Sequence, residues 1–403
     1  MPATTIPLAR RAAGLVGSVI DSSTSLLAGQ AHDIVRFAMG APGDDLIPTG
    51  LFDRYYGEPS PGKYGYGATE GEPALVEQIL ALLRGRGVES AAERITVTTG
   101  GMQGLDLACK VFVDPGDLVV VEGPTYTNGN STALSYGADL LQAPLDEHGL
   151  VVERLPDLVK RAGRTPRAIY TIPNFQNPSG ATLSAKRRER LLSLAEQWGS
   201  VIIDDDPYGL LRFQGTEVPG FSQLAPRHPL VFSVRTFSKI LAPGLRVGWV
   251  DADPELRQLL INAKQVMDTC TAVPTQRMVT RFLQEGHLDG HLARVSGLYR
   301  ARKDAMLDSL HRHFGEDVHS TDPEGGFFLW LTFTGRYADI DTQQLFEVAL
   351  RHGVAYIPGP AFSTDGSFTN ALRLCFATSA PDRIEEGVAR LRRAADAMAG
   401  GRA

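Results

Sequence analysis

The sequence predicts an α/β fold in which a large domain with a mostly parallel sheet is joined to a smaller α+β domain. The first observation is that short apolar runs alternate with amphipathic helical segments from about residue 74 onward, as βαβ units require. The second is that this alternation stops after about residue 285, where a long helical stretch leads to a Gly325-Gly326 break and an apolar strand. The third is the length of 403 residues, which suggests two or three domains.

The elements of the large domain follow from hydrophobic spacing and from the turn residues between them. Strands are predicted at residues 94–99, 118–122, 168–172, 201–204 and 230–234, and helices at residues 74–84, 104–113 and 191–198. Because ligands bind beyond the carboxyl ends of the strands in such sheets, we expect the functional residues in the loops that follow these strands.

The small domain is predicted from a different order of elements. Helices are expected at residues 290–314 and 342–352, and strands at residues 327–331 and 371–376. We therefore divide the chain into an N-terminal helical segment that joins the small domain (residues 1–36), a large domain (37–288) and a small C-terminal domain (289–403).

Composition and charge argue against several classes of protein. A hydrophobic share of 43%, a charged share of 21% and a net charge of -6 are ordinary for a globular protein and provide no basic patch for nucleic acid. No apolar stretch is long enough to cross a membrane, and the apolar run after Arg10-Arg11 is interpreted as an amphipathic helix, not a signal peptide. Cys109, Cys270 and Cys375 form no CxxC pair, so we expect reduced thiols, a cytoplasmic protein and no metal site.

A lysine directly after a predicted buried strand is the most informative feature. In the run at residues 233–239, Ser-Val-Arg-Thr-Phe-Ser-Lys, small hydroxyl residues precede Lys239, and Arg246 follows in the next loop. Burial would lower the pKa of the ammonium group, and a neutral amine is the form that condenses with an aldehyde. Arg246 offers a fork of donors that suits a phosphate. For this segment alone, an exposed lysine and a surface ion pair of Arg246 explain the pattern equally well.

Three adjacent carboxylates, Asp204, Asp205 and Asp206, lie at the end of a predicted strand, and Tyr208 follows them. Because the three repel one another, a positive group should lie nearby. A protonated ring nitrogen would serve, since a carboxylate beside it keeps that proton in place. For this segment alone, a solvated acidic loop or a magnesium site is the favoured explanation.

Three further loops carry informative residues at predicted strand ends. The turn at residues 98–104, Thr-Thr-Gly-Gly-Met-Gln-Gly, lies between a strand and a helix, where free backbone N–H groups bind phosphate. It matches neither GxGxxG nor the P-loop pattern, which argues against the usual dinucleotide and nucleoside-triphosphate sites. The turn at residues 174–180 contains Asn177-Pro178, and Tyr126 follows the strand at residues 118–122. Each loop taken alone is also explained as an ordinary turn.

Together the five loops, in this order and at these spacings, resemble the class I and II pyridoxal-phosphate (PLP)-dependent aminotransferases of fold type I. Within that family the sequence is similar to the branch of the 2-aminoadipate and kynurenine aminotransferases, and to the catalytic part of MocR-type regulators. The resemblance extends from about residue 37 to about residue 391. It implies that the large domain binds PLP and that the protein is a homodimer with shared active sites.

The resemblance implies roles for individual residues around the cofactor ring. Lys239 would hold PLP as a Schiff base and move the proton between the α-carbon of the substrate and the cofactor. Asp205, rather than either neighbour, would face the ring nitrogen, while Tyr208 and Asn177 would hydrogen-bond the phenolic oxygen. Tyr126 would stack on the ring, so that Lys239, Asp205 and Tyr126 are the implied catalytic residues.

Further positions are implied around the phosphate and the substrate. The phosphate would be bound by Gly101, Met102, Thr236, Ser238 and Arg246, and across the dimer by Tyr66. Arg373 would bind the α-carboxylate of the substrate as a bidentate fork, helped by Asn177 and the backbone near Gly40.

The sequence departs from the pattern of the branch at several of these places. Gly101-Met102 stand where Ser-Gln is usual, so that two side-chain donors to the phosphate are lost, and Cys375 stands where asparagine is frequent. Asp21 aligns with an arginine that meets an acidic substrate side chain, which would favour a neutral or cationic substrate side chain here.

The sequence alone leaves three functional hypotheses. The first is ping-pong transfer of the amino group of an L-amino acid to a 2-oxo acid, in amino-acid metabolism. The second is another PLP reaction, that of a lyase, a β- or γ-replacement enzyme or a cyclase of specialised metabolism. The third is a regulator or binding module, which we do not expect because the 36 residues before Phe37 are too few for a winged-helix domain. We expect the first, with amino-acid and 2-oxo-acid substrates and no nucleic-acid or membrane partner.

Overall fold

The computed structural model describes residues 33–400, together with residues 6, 8, 9, 12, 15 and 17. Most of the predicted N-terminal segment, including Asp21, lies outside the described residues. Where the continuous description begins, Val35–Arg36 pairs in parallel with Val354–Ala355. The end of the N-terminal segment therefore contacts the C-terminal part of the chain.

An eight-stranded sheet lies at the centre of the larger part of the molecule. In chain order the strands of all sheets in the described chain are β1 (Val35–Arg36), β2 (Ile95–Thr98), β3 (Leu118–Gly123), β4 (Asp139–Asp146), β5 (Gly149–Leu150), β6 (Ala168–Thr171), β7 (Val201–Asp205), β8 (Val231–Thr236), β9 (Gly248–Asp251), β10 (Val318–Ser320), β11 (Phe328–Phe333), β12 (Val354–Ala355), β13 (Ile357–Pro358) and β14 (Ala371–Cys375). The order across the large sheet is β2-β9-β8-β7-β6-β3-β4-β5. The pairs from β8 to β4 are parallel, whereas β9 and β5 run antiparallel to their neighbours.

Helices cover both faces of this sheet. In chain order the helices of the described chain, including those of the smaller part, are α1 (Thr49–Gly57), α2 (Pro73–Gly85), α3 (Gly101–Phe112), α4 (Thr127–Ser135), α5 (Leu155–Ala162), α6 (Ala185–Trp198), α7 (Phe221–Leu224), α8 (Arg257–Asp268), α9 (Val273–Gln284), α10 (His287–Phe314), α11 (Thr342–Arg351) and α12 (Pro381–Gly400). Ile202 of β7 belongs to one apolar cluster with Leu155 and Leu191, and the next residue, Ile203, belongs to another with Leu105. Since successive side chains of a strand point to opposite faces, a strand that is covered on both faces is apolar throughout.

A four-stranded antiparallel sheet, with the order β10-β11-β14-β13, forms the smaller part. The long helix α10 packs along α12 beside it. The cluster that contains Ile203 of the large sheet also contains Leu372 of β14 and Val295 of α10, so the two parts share one apolar core. Helix α10 continues through residues 288 and 289, and we retain the domain boundary there as a proposal.

The α/β class and the mostly parallel sheet predicted from the sequence are confirmed. The predicted elements differ from the observed ones at their ends: α3 begins at Gly101 instead of residue 104, α6 at Ala185 instead of residue 191, and α10 at His287 instead of residue 290. Strands β4, β5 and β9 of the large sheet were not predicted. Glycine is unfavourable inside a helix, which is why spacing alone placed the start of α3 too late. None of the described helices combines the length and the apolarity that a membrane crossing demands.

Candidate active site

A cavity of ≈ 260 Å³ opens at the carboxyl ends of the parallel strands, where the large sheet meets β11 and β14. The predicted site residues that line it are Gly40, Gly101, Met102, Tyr126, Asn177, Asp205, Tyr208, Thr236, Ser238, Lys239, Arg246 and Arg373. Parallel strands end at the same edge of a sheet, so loops that are far apart in sequence meet there. Of the predicted site residues, Tyr66 does not line the cavity.

Lys239 projects into this cavity from the loop that follows β8. Its Nζ donates a 2.6 Å hydrogen bond to the carbonyl oxygen of Gly40, and within the described part of the chain it forms no ion pair. Burial, reinforced by the guanidinium groups of Arg373 and Arg246, lowers the pKa of Lys239 to about 8. The amine is therefore neutral far more often than that of a lysine in water, and it can act as a nucleophile.

The three adjacent carboxylates at the end of β7 are held by different partners. Asp204 accepts hydrogen bonds from Arg235, at 2.6 Å, and from Ser233, at 3.0 Å. Asp206 accepts a 2.7 Å hydrogen bond from the side chain of Asn174. Of the three, Asp205 is the one whose side chain lines the cavity beside Lys239. Since successive side chains of a strand point to opposite faces, Asp205 enters the cavity and its two neighbours do not.

Asp205 is almost fully enclosed by protein. One of its oxygens, Oδ2, accepts a 2.9 Å hydrogen bond from the hydroxyl of Tyr170 on β6. Burial raises the pKa of Asp205 to about 7, although the hydrogen bond from Tyr170 favours the ionised form. A positively charged group of a ligand in the cavity would lower this pKa, because a nearby opposite charge favours the ionised carboxylate.

The turn between β2 and α3 forms a second polar corner of the cavity. Helix α3 begins at Gly101, and the residue before it, Gly100, has φ 80. This positive φ favours glycine, and a Cβ atom on Gly100 would lie 2.5 Å from Nη2 of Arg246, so that a side chain here would displace the guanidinium group. Free N–H groups at the start of a helix, next to a guanidinium group, provide a binding site for an anion.

Arg246 and two hydroxyl side chains complete this corner. Arg246 donates a 3.2 Å hydrogen bond to the carbonyl oxygen of Thr99, and it forms no ion pair with the described residues. The hydroxyl of Thr236 donates a 2.9 Å hydrogen bond to Oγ of Ser238. We call this corner, formed by Gly101, Met102, Thr236, Ser238 and Arg246, the phosphate cup.

Arg373 of β14 enters the cavity from the opposite side. It is buried, with 1% of its surface exposed, and its Nη atoms donate to Oδ1 of Asn177 at 2.9 Å and to the carbonyl oxygen of Ala38 at 2.6 Å. Its Nε has no hydrogen-bond partner, and no carboxylate of the described residues pairs with it. Burial lowers the pKa of Arg373 to about 10. A buried guanidinium group that lacks a counter-ion is a site for a carboxylate ligand.

Aromatic rings surround this guanidinium group and the cavity. The ring centroid of Phe328 lies 4.2 Å from Cζ of Arg373, a cation–π arrangement. Tyr208 is buried, with its ring edge against Phe328 at a centroid distance of 5.7 Å. The hydroxyl of Tyr126 approaches Sδ of Met102 at 3.7 Å. The rings leave a cavity with an apolar wall and polar groups at its two ends.

Sequence reasoning did not single out several residues that act on the site. Tyr170 and Phe328 belong to apolar strands, where an aromatic residue is explained by core packing. The buried Glu122 accepts hydrogen bonds from Thr171, at 2.5 Å, and from Gln176, at 3.0 Å, next to Asn177. The position of this glutamate in the apolar strand at residues 118–122 was a signal in the sequence, because a buried carboxyl group needs hydrogen-bond partners.

Three other residues named from the sequence have different surroundings. Tyr66 is 90% exposed and lies outside the cavity. Cys375 is buried on β14, and burial raises the pKa of its thiol. Asp21, which aligns with an arginine of the related enzymes, lies outside the described residues.

The charges and donors of the cavity fit PLP. Its charged lining residues are three cations, Lys239, Arg246 and Arg373, and one acid, Asp205, so it favours a ligand that carries negative groups. The phosphate cup suits the phosphate, Lys239 suits the aldehyde and Asp205 suits a protonated ring nitrogen. The guanidinium group of Arg373, which has no carboxylate partner among the described residues, leaves a positive charge for a further anion. Among the described residues, no group of three or more His, Cys, Asp or Glu side chains could hold a metal ion.

Comparison with known proteins agrees with this geometry. Residues 60–391 match the family model described as Aminotransferase class I and II. The chain is 36% identical over 390 residues to aromatic-amino-acid aminotransferase 1 of Thermococcus litoralis, which covers 94% of this chain and 92% of the relative. It is also 36% identical over 371 residues to the 2-aminoadipate transaminase of Thermus thermophilus, with 91% of each chain covered.

A solved structure gives the same result for the fold. The kynurenine aminotransferase of Pyrococcus horikoshii, solved in complex with PMP, superposes with a TM-score of 0.90 at 35% identity, over 97% of both chains. These matches favour transamination over the lyase, replacement and cyclase reactions. They also agree with the resemblance inferred from the five loops. The chain belongs to the class I and II aminotransferases, and it is a PLP-dependent transferase.

Proposed function

We propose that the protein transfers the amino group of an L-amino acid to a 2-oxo acid, with Lys239 as the residue that carries the cofactor. The observation that supports this most directly is the amine of Lys239, with a pKa lowered to about 8, in a cavity with an anion site at each end. One end is the phosphate cup and the other is Arg373. The lysine therefore lies between the groups that would hold the cofactor and the substrate.

When bound, PLP supplies an aldehyde that accepts the amino group and a ring that withdraws electrons from the α-carbon. Lys239 would take the proton from the α-carbon of the amino acid, and its lowered pKa supports this role because a neutral amine is a base. Its short hydrogen bond to the carbonyl oxygen of Gly40 gives the amine a defined resting position. The same amine would return a proton to the α-carbon when a 2-oxo acid is converted to an amino acid.

Asp205 would hold a proton on the ring nitrogen. Without a cation beside it, burial keeps the pKa of this carboxyl group at about 7. A positive ring nitrogen favours the ionised carboxylate, and the carboxylate in turn favours the protonated nitrogen. The hydroxyl of Tyr170, at 2.9 Å, orients the carboxylate toward the cavity.

Arg373 would bind the α-carboxylate shared by amino acids and 2-oxo acids. Its planar group is already oriented by Asn177 and by the carbonyl oxygen of Ala38. Both substrates of the two half-reactions carry this carboxylate on the reacting carbon itself. One arginine therefore serves both half-reactions, as a ping-pong mechanism requires.

The half-reaction with a single amino acid tests the proposed function. PLP-loaded protein mixed with an L-amino acid, in the absence of any 2-oxo acid, should yield one equivalent of 2-oxo acid and the pyridoxamine form of the cofactor. Subsequent addition of a different 2-oxo acid should restore the original absorbance. Release of ammonia, or continued turnover without an acceptor, would instead indicate a lyase and contradict the proposal.

We further propose that the active protein is a homodimer in which Tyr66 reaches the phosphate cup of the other subunit. Tyr66 and Tyr64 are exposed, at 90% and 78%, on one loop. Large aromatic side chains grouped on a surface are typical of protein interfaces. Arg246, at the open side of the cup, is also exposed. A second copy that covers these residues would close the cup.

Mixing two inactive or weakened variants tests the shared site. Tyr66→Phe should weaken PLP binding by ~10-fold or more, the value of a hydrogen bond to a charged group, and Lys239→Ala should be inactive. In a mixed dimer one site has both Lys239 and Tyr66 intact. We expect the mixture, refolded or co-expressed, to exceed the summed activity of the two variants at limiting PLP. Strictly additive activities would contradict the exchange of Tyr66 between subunits.

A further inference from the structure

A buried polar cluster lies directly behind the glycine turn of the phosphate cup. Lys264 of α8 is fully buried, with 0% exposed. Its Nζ lies 2.7 Å from Oε1 of Gln103, 2.8 Å from Oδ1 of Asp268 and 3.1 Å from Oγ1 of Thr271. The side-chain amide of Gln103 donates a further 2.8 Å hydrogen bond to Oδ2 of Asp268. Each of these four side chains is hydrogen-bonded to at least one other member of the cluster.

The cluster and Arg246 together bind every polar atom of Thr99, the residue just before the glycine turn of the cup. The backbone N–H of Thr99 donates to Gln103 at 2.8 Å, and its hydroxyl donates to Asp268 at 2.6 Å. Its carbonyl oxygen accepts the 3.2 Å hydrogen bond from Arg246. Thr99 is thus fixed on one side by the Lys264 cluster and on the other by the guanidinium group of the cup.

This fixation controls where the backbone donors point. Gly100 and Gly101 follow Thr99 directly, and the N–H groups at the start of α3 depend on the direction in which the chain leaves Thr99. Gly101 and Met102 contribute no side-chain hydroxyl or amide to the cup. Phosphate recognition on this side therefore relies on backbone N–H groups, whose strength depends on their orientation.

Stability alone does not explain the cluster. Burying the ammonium group of Lys264 costs desolvation energy that offsets much of its attraction to Asp268, and well-packed apolar residues often serve stability as well. What a hydrogen-bonded network provides is one defined arrangement of its members. That arrangement here determines the position of Thr99, which belongs to the turn that begins the cup.

We propose that Lys264, Asp268 and Gln103 are positioning residues that orient the backbone of the phosphate cup for the phosphate of PLP. This inference rests on the proposed function, since it concerns the same site. The residues do not contact the cavity themselves. They act through Thr99, and their removal affects the phosphate end of the ligand more than the aldehyde end.

A comparison of PLP with pyridoxal, which lacks the phosphate, tests the inference. Cofactor-stripped wild-type protein, Lys264→Met and Asp268→Asn are titrated with each compound, and the two dissociation constants are measured by absorbance. We expect PLP affinity to fall roughly 10- to 100-fold in the variants, as for a buried network that loses a charged partner. The affinity for pyridoxal should change by less than about threefold, since Lys239 and Asp205 are untouched.

Lys303→Met is the matched control. Lys303 is the other described lysine of this kind, 3% exposed and bonded to Asp322 at 2.7 Å, but it lies on α10 away from the cup. Its replacement should lower thermal stability without changing the preference for PLP over pyridoxal. Thr99→Val, which removes the hydroxyl bonded to Asp268, should reproduce the loss, and Thr99→Ser should retain the wild-type preference.

The outcomes separate this inference from the function on which it rests. If wild-type protein bound neither compound, the proposed function would fail and the inference with it. If wild-type protein bound PLP but Asp268→Asn and Thr99→Val kept the wild-type preference, the inference alone would be wrong. The same holds if the variants lost PLP and pyridoxal affinity to the same extent, because the cluster would then be merely structural.

Discussion

Replacement of Lys239 by alanine (Lys239→Ala) is expected to abolish amino-group transfer and the yellow colour of the purified protein together. The variant lacks both the covalent attachment of the cofactor and the base that moves the α-proton. These two contributions together should lower kcat/KM by at least ~10⁴-fold. The fold should survive, because removing a buried amine with a depressed pKa relieves a desolvation cost.

The measurement combines an absorbance spectrum with the rate of 2-oxo acid formation. Lys303→Ala serves as the control, since it removes a lysine that is buried and paired with Asp322 and Asp304 outside the cavity. The control should keep both colour and activity. A Lys239→Ala protein that is yellow and transaminates at a rate near that of the wild type would overturn the assignment.

Replacement of Arg373 by methionine (Arg373→Met) is expected to lower kcat/KM for amino acids by roughly 30-fold to several thousand-fold. That range corresponds to about 2–5 kcal/mol, the cost of truncating one partner of a buried, hydrogen-bonded charge pair. The guanidinium group has no carboxylate partner among the described residues until a substrate provides one. Methionine leaves no buried charge behind, so protein stability should change little or rise.

A substrate without the carboxylate separates this role from a general defect. With wild-type protein, an amino acid should react far faster than the corresponding amine that lacks the carboxylate. The preference should nearly vanish in Arg373→Met, while the yellow colour and the slow reaction of the amine persist. An equal loss for both substrates would mean that Arg373 supports the cavity and does not bind the carboxylate.

Sequence reasoning was effective where local pattern and sheet topology lead to the same conclusion. The alternation of apolar runs and helices predicted the parallel sheet, and the five strands expected there, β2, β3, β6, β7 and β8, appear within a few residues of the expected positions. Once the strands are parallel, their carboxyl ends must share an edge. The convergence of Tyr126, Asn177, Asp205 and Lys239 around one cavity is therefore a consequence of topology.

Other parts of the site carry no local signal. Tyr170 lies in a strand whose aromatic residue is explained by packing, and its bond to Asp205 appears only when β6 and β7 are side by side. Lys264 and Asp268, four residues apart on a helix, have the spacing of an ordinary surface ion pair. The burial of Lys264 depends on the packing of α8 against α3, which no local pattern specifies.

The role of Tyr66 could be inferred from the resemblance but not from the chain's own fold. It is exposed and outside the cavity, so the contribution that we propose for it requires a second copy. The roles assigned to the individual cavity residues likewise stay predictions, each tied to the contacts described above. The central one is the identity of the reactive amine.

Reductive trapping tests that identity most directly. Borohydride reduces the carbon–nitrogen double bond between PLP and a lysine to a stable linkage, and peptide mapping by mass spectrometry then locates the modified residue. We expect a single phosphopyridoxyl group on the peptide that contains Lys239. A group on Lys264 or another lysine, or no modification of a protein that nevertheless transaminates, would contradict it.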